Sequence, residues 1–341
     1  MNYSFEIYKK IIDLFEEIEI IGATGISDKL GISRVTVHKV LKQLAEEKKI
    51  EKTGKASHTR YKSLIFKGDN LGKNVDNIEN EPEFIDYKTK KFFDENFYKF
   101  DSDGKKLEGF SGFEYWVKDR NFSFSKSIHN YKKIYNYIES LENTCGLLDA
   151  TSVFNKKFDI NYMQKVFYAG EYSFMEFGRS KLAEMTFYAK QSQDKDLINQ
   201  SIDEIFYKIE CLIHTEKIDC IAITPWSIDR RNQLLGILKM RLSDYNVNFL
   251  NIIKYYPNKI SIPQKSIKSK QGRIKNAENT IFVHDTNVEK YKKILLIDDF
   301  VGSGATLNIT AKKIQQAGCE QVIGFSFVGS LDLTYEVINE I

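Results

Sequence analysis

Two adjacent carboxylates followed at once by small residues form the most chemically suggestive stretch of this 341-residue chain. It reads Lys293-Ile294-Leu295-Leu296-Ile297-Asp298-Asp299-Phe300-Val301-Gly302-Ser303-Gly304-Ala305-Thr306-Leu307. An apolar run of strand length delivers Asp298 and Asp299 to the carboxyl edge of a sheet, where ligands of open α/β folds bind. Gly302 and Gly304 let the backbone bend and approach a ligand closely. Ser303 to Thr306 then offer backbone N–H groups at a helix N-terminus, a ready anion site, and Thr306 adds a hydroxyl donor. Competing phosphate motifs fit worse. No lysine follows Gly304, so this is not a Walker A loop. Leu307 stands where a dinucleotide fingerprint needs its third small residue, and the acids precede the loop instead of following it by about twenty residues.

Elements that can position such a loop surround it. Leu197–Glu216, Arg231–Arg241 and Thr306–Gln316 are expected as helices, and Cys220–Thr224, Val247–Lys254, Lys293–Asp298 and Gln321–Val328 as strands. Strands alternating with helices argue a parallel sheet covered on both faces. Residues 84–144 are dense in Phe, Tyr and Trp at roughly helical intervals, which predicts an aromatic-rich helical subdomain packing its own core. Residues 67–83 are polar and aperiodic and read as a linker.

The acid pair before a glycine-rich phosphate loop resembles the phosphoribosyl-pyrophosphate (PRPP) motif of type I phosphoribosyltransferases. The resemblance implies that Asp298 and Asp299 take the ribose hydroxyls and face Mg²⁺, and that Val301, Gly302, Ser303, Gly304, Ala305 and Thr306 hold the 5-phosphate. Two further stretches resemble the ComF-like branch. Asp219–Ser227 with Arg230-Arg231-Asn232-Gln233 looks like its pyrophosphate loop, although Arg231 abuts Asn232 where the family has intervening residues. Ser227, Arg230 and Arg231 would meet a pyrophosphate through charge-assisted bonds. Pro263-Gln264, Arg273 and Asn276 resemble its hood, a basic loop able to close over PRPP as lids do. The resemblance covers roughly residues 145–330 and assigns residues 145–341 to a phosphoribosyltransferase-like domain.

The N-terminal residues 1–66 read as a winged helix-turn-helix. Ile7, Ile11, Leu14 and Phe15 mark a first helix within Tyr3–Ile18, and Ile26–Leu30 a second. Ser33 caps a third, with Val37, Val40, Leu41 and Leu44 on its inner face. Ile50–Thr53 and Thr59–Ser63 make two strands around Gly54–His58. From Ser33 to Lys62, nine Lys/Arg stand against three Glu, in a chain whose net charge is only +3. Arg34, Thr36, His38, Lys39 and Lys42 face outward as a recognition helix would, and Lys55 and Arg60 lie on the wing.

The four cysteines are scattered and are read as buried thiols, and the five histidines suggest no zinc site. No apolar run approaches the ~20 residues of a membrane span, and Met1–Lys10 lacks the apolar core of a signal peptide. A cytoplasmic protein without a membrane partner is expected, and a homo-oligomer, since winged helices act as dimers. The fold class is therefore α/β: a winged helix-turn-helix, an aromatic helical region and a parallel-sheet phosphoribosyltransferase-type fold. Three functions follow from the resemblance. The first is an enzyme that transfers phosphoribosyl from PRPP with Mg²⁺. The second is a catalytically silent PRPP-sensing regulator with the domain order of purine repressors, binding DNA. The third is a retron-associated defence effector, partnered with a reverse transcriptase and its RNA–DNA hybrid.

Overall fold

The computed structural model describes residues 3–17, 20–53, 59–64, 85–226, 228–245, 247–256, 267 and 269–331. The chain divides into two compact units, residues 1–83 and 84–341.

The first unit runs α1 (Tyr3–Glu17), β1 (Ile20–Ile21), α2 (Ala23–Leu30), α3 (Arg34–Glu46), β2 (Ile50–Thr53) and β3 (Arg60–Ser63). Its strands form an antiparallel sheet in the order β1-β3-β2. Gly31 adopts a left-handed conformation, φ 64°, which ends α2. Ser33 then accepts from the Thr36 N–H and starts α3. Ile11, Phe15, Ile26, Val37, Leu41 and Leu44 close one small core. The helix α2 begins three residues earlier than its apolar pattern suggests, at Ala23. The linker expected at 67–83 and the wing tip Gly54–His58 lie outside the described residues.

The second unit opens with α4 (Tyr87–Asn96), β4 (Tyr98–Phe100), β5 (Lys106–Glu108), α5 (Gly109–Asp119) and α6 (Phe124–Ser140). There follow β6 (Leu148–Asp149), α7 (Thr151–Lys157), β7 (Lys165–Glu171), α8 (Lys181–Ser192), α9 (Lys195–Glu216), β8 (Cys220–Ile223) and α10 (Leu234–Leu242). The remainder is β9 (Asn248–Leu250), β10 (Ile252–Lys254), α11 (Lys270–Thr280), β11 (Ile281–Val283), β12 (Lys293–Val301), α12 (Ala305–Gln316) and β13 (Gln321–Gly329). Among the described residues the main sheet has the order β6-β7-β13-β12-β8-β9. Only β6, at one edge, is antiparallel.

Both faces of this sheet are covered, and β12 shows why its sequence is uniformly apolar. Ile294 and Leu296 join a core with α12 and the aromatic region, while Leu295 and Ile297 join a core with α8, α9 and α10. Alternating side chains of a strand buried on both sides must all be apolar.

Five expectations need correction. The aromatic region is not wholly helical, because β4 and β5 pair as a hairpin within it. It also packs no separate core: Phe93, Phe97, Phe113, Trp116 and Tyr131 belong to the same buried cluster as Val166, Tyr168 and Leu296 of the sheet. The helix expected from Arg231 starts at Leu234, and the strand expected over Val247–Lys254 is broken at Asn251 into β9 and β10. Asn251 is where β9, paired to β8, gives way to β10, paired to β11. Finally, Cys145 and Cys211 form a disulfide, leaving Cys220 and Cys319 as the buried thiols. The fold brings the tight turn at Cys145 against α9, a juxtaposition of residues 66 apart that no local spacing announces.

Candidate functional site

The chain leaves β8 through α10 to reach β9 on one side, and leaves β12 through α12 to reach β13 on the other. Between β8 and β12 the connections therefore diverge, which opens a crevice at the carboxyl ends of these strands. Asp298 and Asp299 stand at that place on β12, and Thr224 on the segment that follows β8. The Thr224 hydroxyl donates to Asp298 Oδ1 at 2.8 Å, so the two lips of the crevice are joined at the carboxylate. Asp298 Oδ1 also accepts the Asp299 N–H at 2.9 Å.

Asp299 faces α8, and Lys190 of that helix places its Nζ 2.6 Å from Asp299 Oδ1. Burial, and then the Asp299 carboxylate beside it, push the Asp298 carboxyl up to about 7. Lys190, Thr224 and the Asp299 N–H oppose that rise without cancelling it.

Beyond the acids the loop turns at Gly304, which has φ 76° and begins α12. A side chain there would collide with Phe154 and Phe158, whose stacked rings lie against the loop. The Ser303 hydroxyl accepts the Ala305 N–H at 3.4 Å, and Asn308 closes the first helical turn onto the Gly304 carbonyl at 2.9 Å. Gly302, Ser303, Gly304, Ala305 and Thr306 lead into the N-terminus of a 12-residue helix with its partial positive charge, whereas Val301, expected in the loop, still belongs to β12, pairs with Gly329 and is buried, because the strand runs three residues past the expected end at Asp298.

The remaining expected residues are placed less uniformly. Arg230 is half-buried and Arg231 exposed, in the segment between β8 and α10. That segment is tied to the end of α8, since Asn232 Nδ2 donates to the Gln193 carbonyl at 2.7 Å. Arg273 lies in the first turn of α11 and gives its Nε to the Ile267 carbonyl at 2.8 Å. Lys270, one turn ahead of Arg273's end of the helix, sits 4.3 Å over the Phe158 ring, so the start of α11 adjoins the rings that back the loop. Ser227, Pro263 and Gln264 lie outside the described residues.

In the first unit, Arg34, His38, Lys39 and Lys42 are exposed along α3, Thr36 is half-buried, and Arg60 is exposed on β3. Lys55 lies outside the described residues.

Two residues of the site escaped the sequence reading. Lys190 is one. The other is Lys254, at the end of β10, which helps line a pocket of about 350 Å³ with Thr224, Pro225, Trp226, Lys239 and Phe249. Burial lowers the Lys254 pKa, while Tyr256 and Asp298 pull it back up, which sets its charge in the field of the acid pair. A lysine in a basic region carries no sequence signal of this kind. The arrangement offers a carboxylate pair, a helix N-terminus just beyond it, and two cations beside them, Lys190 on Asp299 and Lys254 in the pocket that Thr224 also lines. That set suits a ligand with hydroxyls at its centre and phosphates at both ends.

No protein-family model matches the chain. Curated relatives do, over parts of it. Adenine phosphoribosyltransferase of Synechocystis is 26% identical over 83 residues, 24% of this chain and 45% of that protein. The protein of the same name from Brachyspira hyodysenteriae is 27% identical over 137 residues, 40% of this chain and 71% of its own length. That from Borreliella burgdorferi is 31% identical over 116 residues, 33% of this chain and 58% of its own. The chain thus spans less than half the length of the Synechocystis relative. These partial similarities, with the mixed α/β architecture and its parallel sheet, support a type I phosphoribosyltransferase-like domain. No helix among the described residues is long and apolar enough to cross a membrane.

Proposed function

We propose that the chain binds PRPP in the crevice between β8 and β12 and transfers its phosphoribosyl group to an acceptor. The observation that carries the reading is the acid pair at the strand end, bonded to Thr224 across the crevice and followed directly by the αL turn into α12. In this reading Val301–Thr306 hold the 5-phosphate and Asp298 and Asp299 the ribose hydroxyls. Ser227, Arg230, Arg231, Arg273 and Lys254 meet the pyrophosphate. The C1–O bond to pyrophosphate breaks as a bond from C1 to the acceptor forms. Catalysis is then positioning and stabilisation of leaving-group charge, and needs no side-chain nucleophile. A purine base is the acceptor class to which the relatives' names point.

The acid pair also fits Mg²⁺. Two carboxylates supply hard oxygen donors, and the Asp298 carboxyl is raised first by burial and then by the neighbouring Asp299 carboxylate, the part that a cation would relieve. Asp298 and Asp299 would hold the ion beside ligand oxygens and water, and the ion would offset charge on the leaving pyrophosphate.

The exposed cations of α3 support a second part of the reading. The order α1-β1-α2-α3-β2-β3 supports reading the first unit as a winged helix-turn-helix that would turn Arg34, Thr36, His38, Lys39, Lys42 and Arg60 toward nucleic acid. With such a unit attached, PRPP binding without turnover would make the chain a sensor whose ligand shifts DNA affinity. A retron effector bound to a reverse transcriptase and its RNA–DNA hybrid would instead copurify with that hybrid.

Calorimetric titration of PRPP, with and without Mg²⁺, tests the site. Saturable Mg²⁺-dependent binding that Asp298→Asn/Asp299→Asn loses supports the reading. Absence of binding at millimolar PRPP refutes it. Pyrophosphate release with adenine as acceptor then separates enzyme from sensor.

A further inference from the structure

Asp299 does not face the crevice alone. Lys190 lies in the last turn of α8 and holds Asp299 Oδ1 at 2.6 Å, with only 21% and 14% of the two side chains exposed. The helix that delivers this ammonium is fixed at both ends. Ser180 caps its start by accepting the Ala183 N–H at 3.2 Å. Near that end Glu184 pairs with Arg179 at 3.1 Å and accepts the Phe100 N–H. At the other end Gln193, in the left-handed region at φ 57°, is gripped through its carbonyl by Asn232 of the segment that follows β8. Ala183, Met185 and Ala189 are buried on the same helix. Lys190 is therefore placed by packing and capping, not by the flexibility of an exposed side chain.

We propose that Lys190 is a positioning residue of the crevice: it is the resident counter-ion of Asp299, which fixes that carboxylate and keeps a free divalent cation off the acid pair. The inference rests on the reading of the acid pair as the ribose and metal site. Its logic is one of sign. A bare divalent cation meets an ammonium already seated on an oxygen it needs and is repelled. A metal bound to a doubly phosphorylated ligand carries net negative charge, so the same ammonium attracts it. Lys190 thus selects for metal and ligand arriving together, and the neutralised carboxylate keeps its orientation in between.

The test uses the full chain and Mn²⁺ alone, followed by its electron paramagnetic resonance signal. Wild type should show weak Mn²⁺ binding. Lys190→Met should bind Mn²⁺ at least about tenfold more tightly. Adding Asp299→Asn to that variant should abolish the gain. Lys190→Arg, which keeps the charge, should behave as wild type, a rescue that a purely structural role for the aliphatic stem would not give. Equal Mn²⁺ affinity in wild type and Lys190→Met overturns the proposal, as does a Lys190→Arg variant that matches Lys190→Met. No PRPP enters this experiment. A chain with the expected Mn²⁺ response that fails to bind PRPP keeps its counter-ion and loses only the ligand assigned above.

Discussion

Gly304→Ala should damage both the stability of the second unit and its anion site, whereas Gly302→Ala should damage neither fold nor stability appreciably. At Gly304 the backbone has φ 76°, a region that costs an L-residue roughly 1–2 kcal/mol. The added methyl would also lie 2.8 Å from Phe154 Cε1, 2.9 Å from its Cζ and 3.1 Å from Phe158 Cε2. Phe154 is fully buried and stacked on Phe158 with centroids 5.7 Å apart, so neither ring has room to retreat. Overpacking of this sort adds about 1–3 kcal/mol. The sum is a loss of about 2–5 kcal/mol, or a displaced loop whose N–H groups no longer converge. At Gly302 a methyl would approach only the Phe300 ring edge, at 3.2 Å, and Phe300 is 39% exposed, with solvent on one side and Tyr172 on the other. Urea unfolding followed by tryptophan fluorescence measures the first effect, and calorimetry with PRPP the second. Equal unfolding midpoints for Gly304→Ala and wild type would refute the reasoning, since both the conformational and the steric argument require a cost.

Three further outcomes follow from the structure. Reducing the Cys145–Cys211 disulfide, which closes a 66-residue separation, should lower stability by about 4 kcal/mol in the chain-entropy account, read as a lower urea midpoint in reductant. The Asp298 carboxyl sits at about 7 in the fold, above the ordinary value of about 3.9 expected for the unfolded chain, so the folded state holds the extra proton between these values. Its contribution to stability is therefore present at low pH and lost as pH rises through about 7, and Asp298→Asn should flatten that slope in unfolding curves taken from pH 5 to 8. Lys39→Ala/Lys42→Ala should reduce the salt dependence of DNA binding by about two phosphate contacts, or roughly 2 in the slope of log K against log salt, and an unchanged slope would remove α3 from the interface.

What was legible in the sequence is what is local. The β12–loop–α12 segment is contiguous, and its order of strand, small-residue turn and helix was readable, although β12 runs on to Val301 and α12 starts at Ala305, which shortens the loop. The face of α3 was legible for the same reason, since Val37, Val40, Leu41 and Leu44 repeat at helical spacing and are all buried. Lys190 was not, because it reaches Asp299 across 109 residues and only the docking of α8 makes the pair. That helix hid its own pattern: of its buried residues Ala183, Glu184, Met185, Thr186 and Ala189, only Met185 is a large apolar side chain, so no apolar stripe is visible. β7, just after the aromatic region, was not read as a strand, since Phe167 and Tyr168 are both buried and an interior strand of this kind shows no alternation. Arg273 resembles a hood residue by motif, yet its Nε already donates to the Ile267 carbonyl.

The shared core of the aromatic region and the sheet bears on how the protein can be cut. A fragment beginning at Cys145 would keep Asp298, Asp299, Lys190, Thr224 and the whole of Val301–Thr306. It would also strip away Phe93, Phe97, Phe113, Trp116 and Tyr131, against whose cluster Phe174, Phe177 and Tyr168 are buried. Those newly bared rings would form a wide apolar patch, and such patches drive aggregation. A fragment that keeps the crevice with its core intact therefore starts near Phe84, where the compact unit itself starts, so the segment without a phosphate-binding motif belongs with the crevice in any truncation.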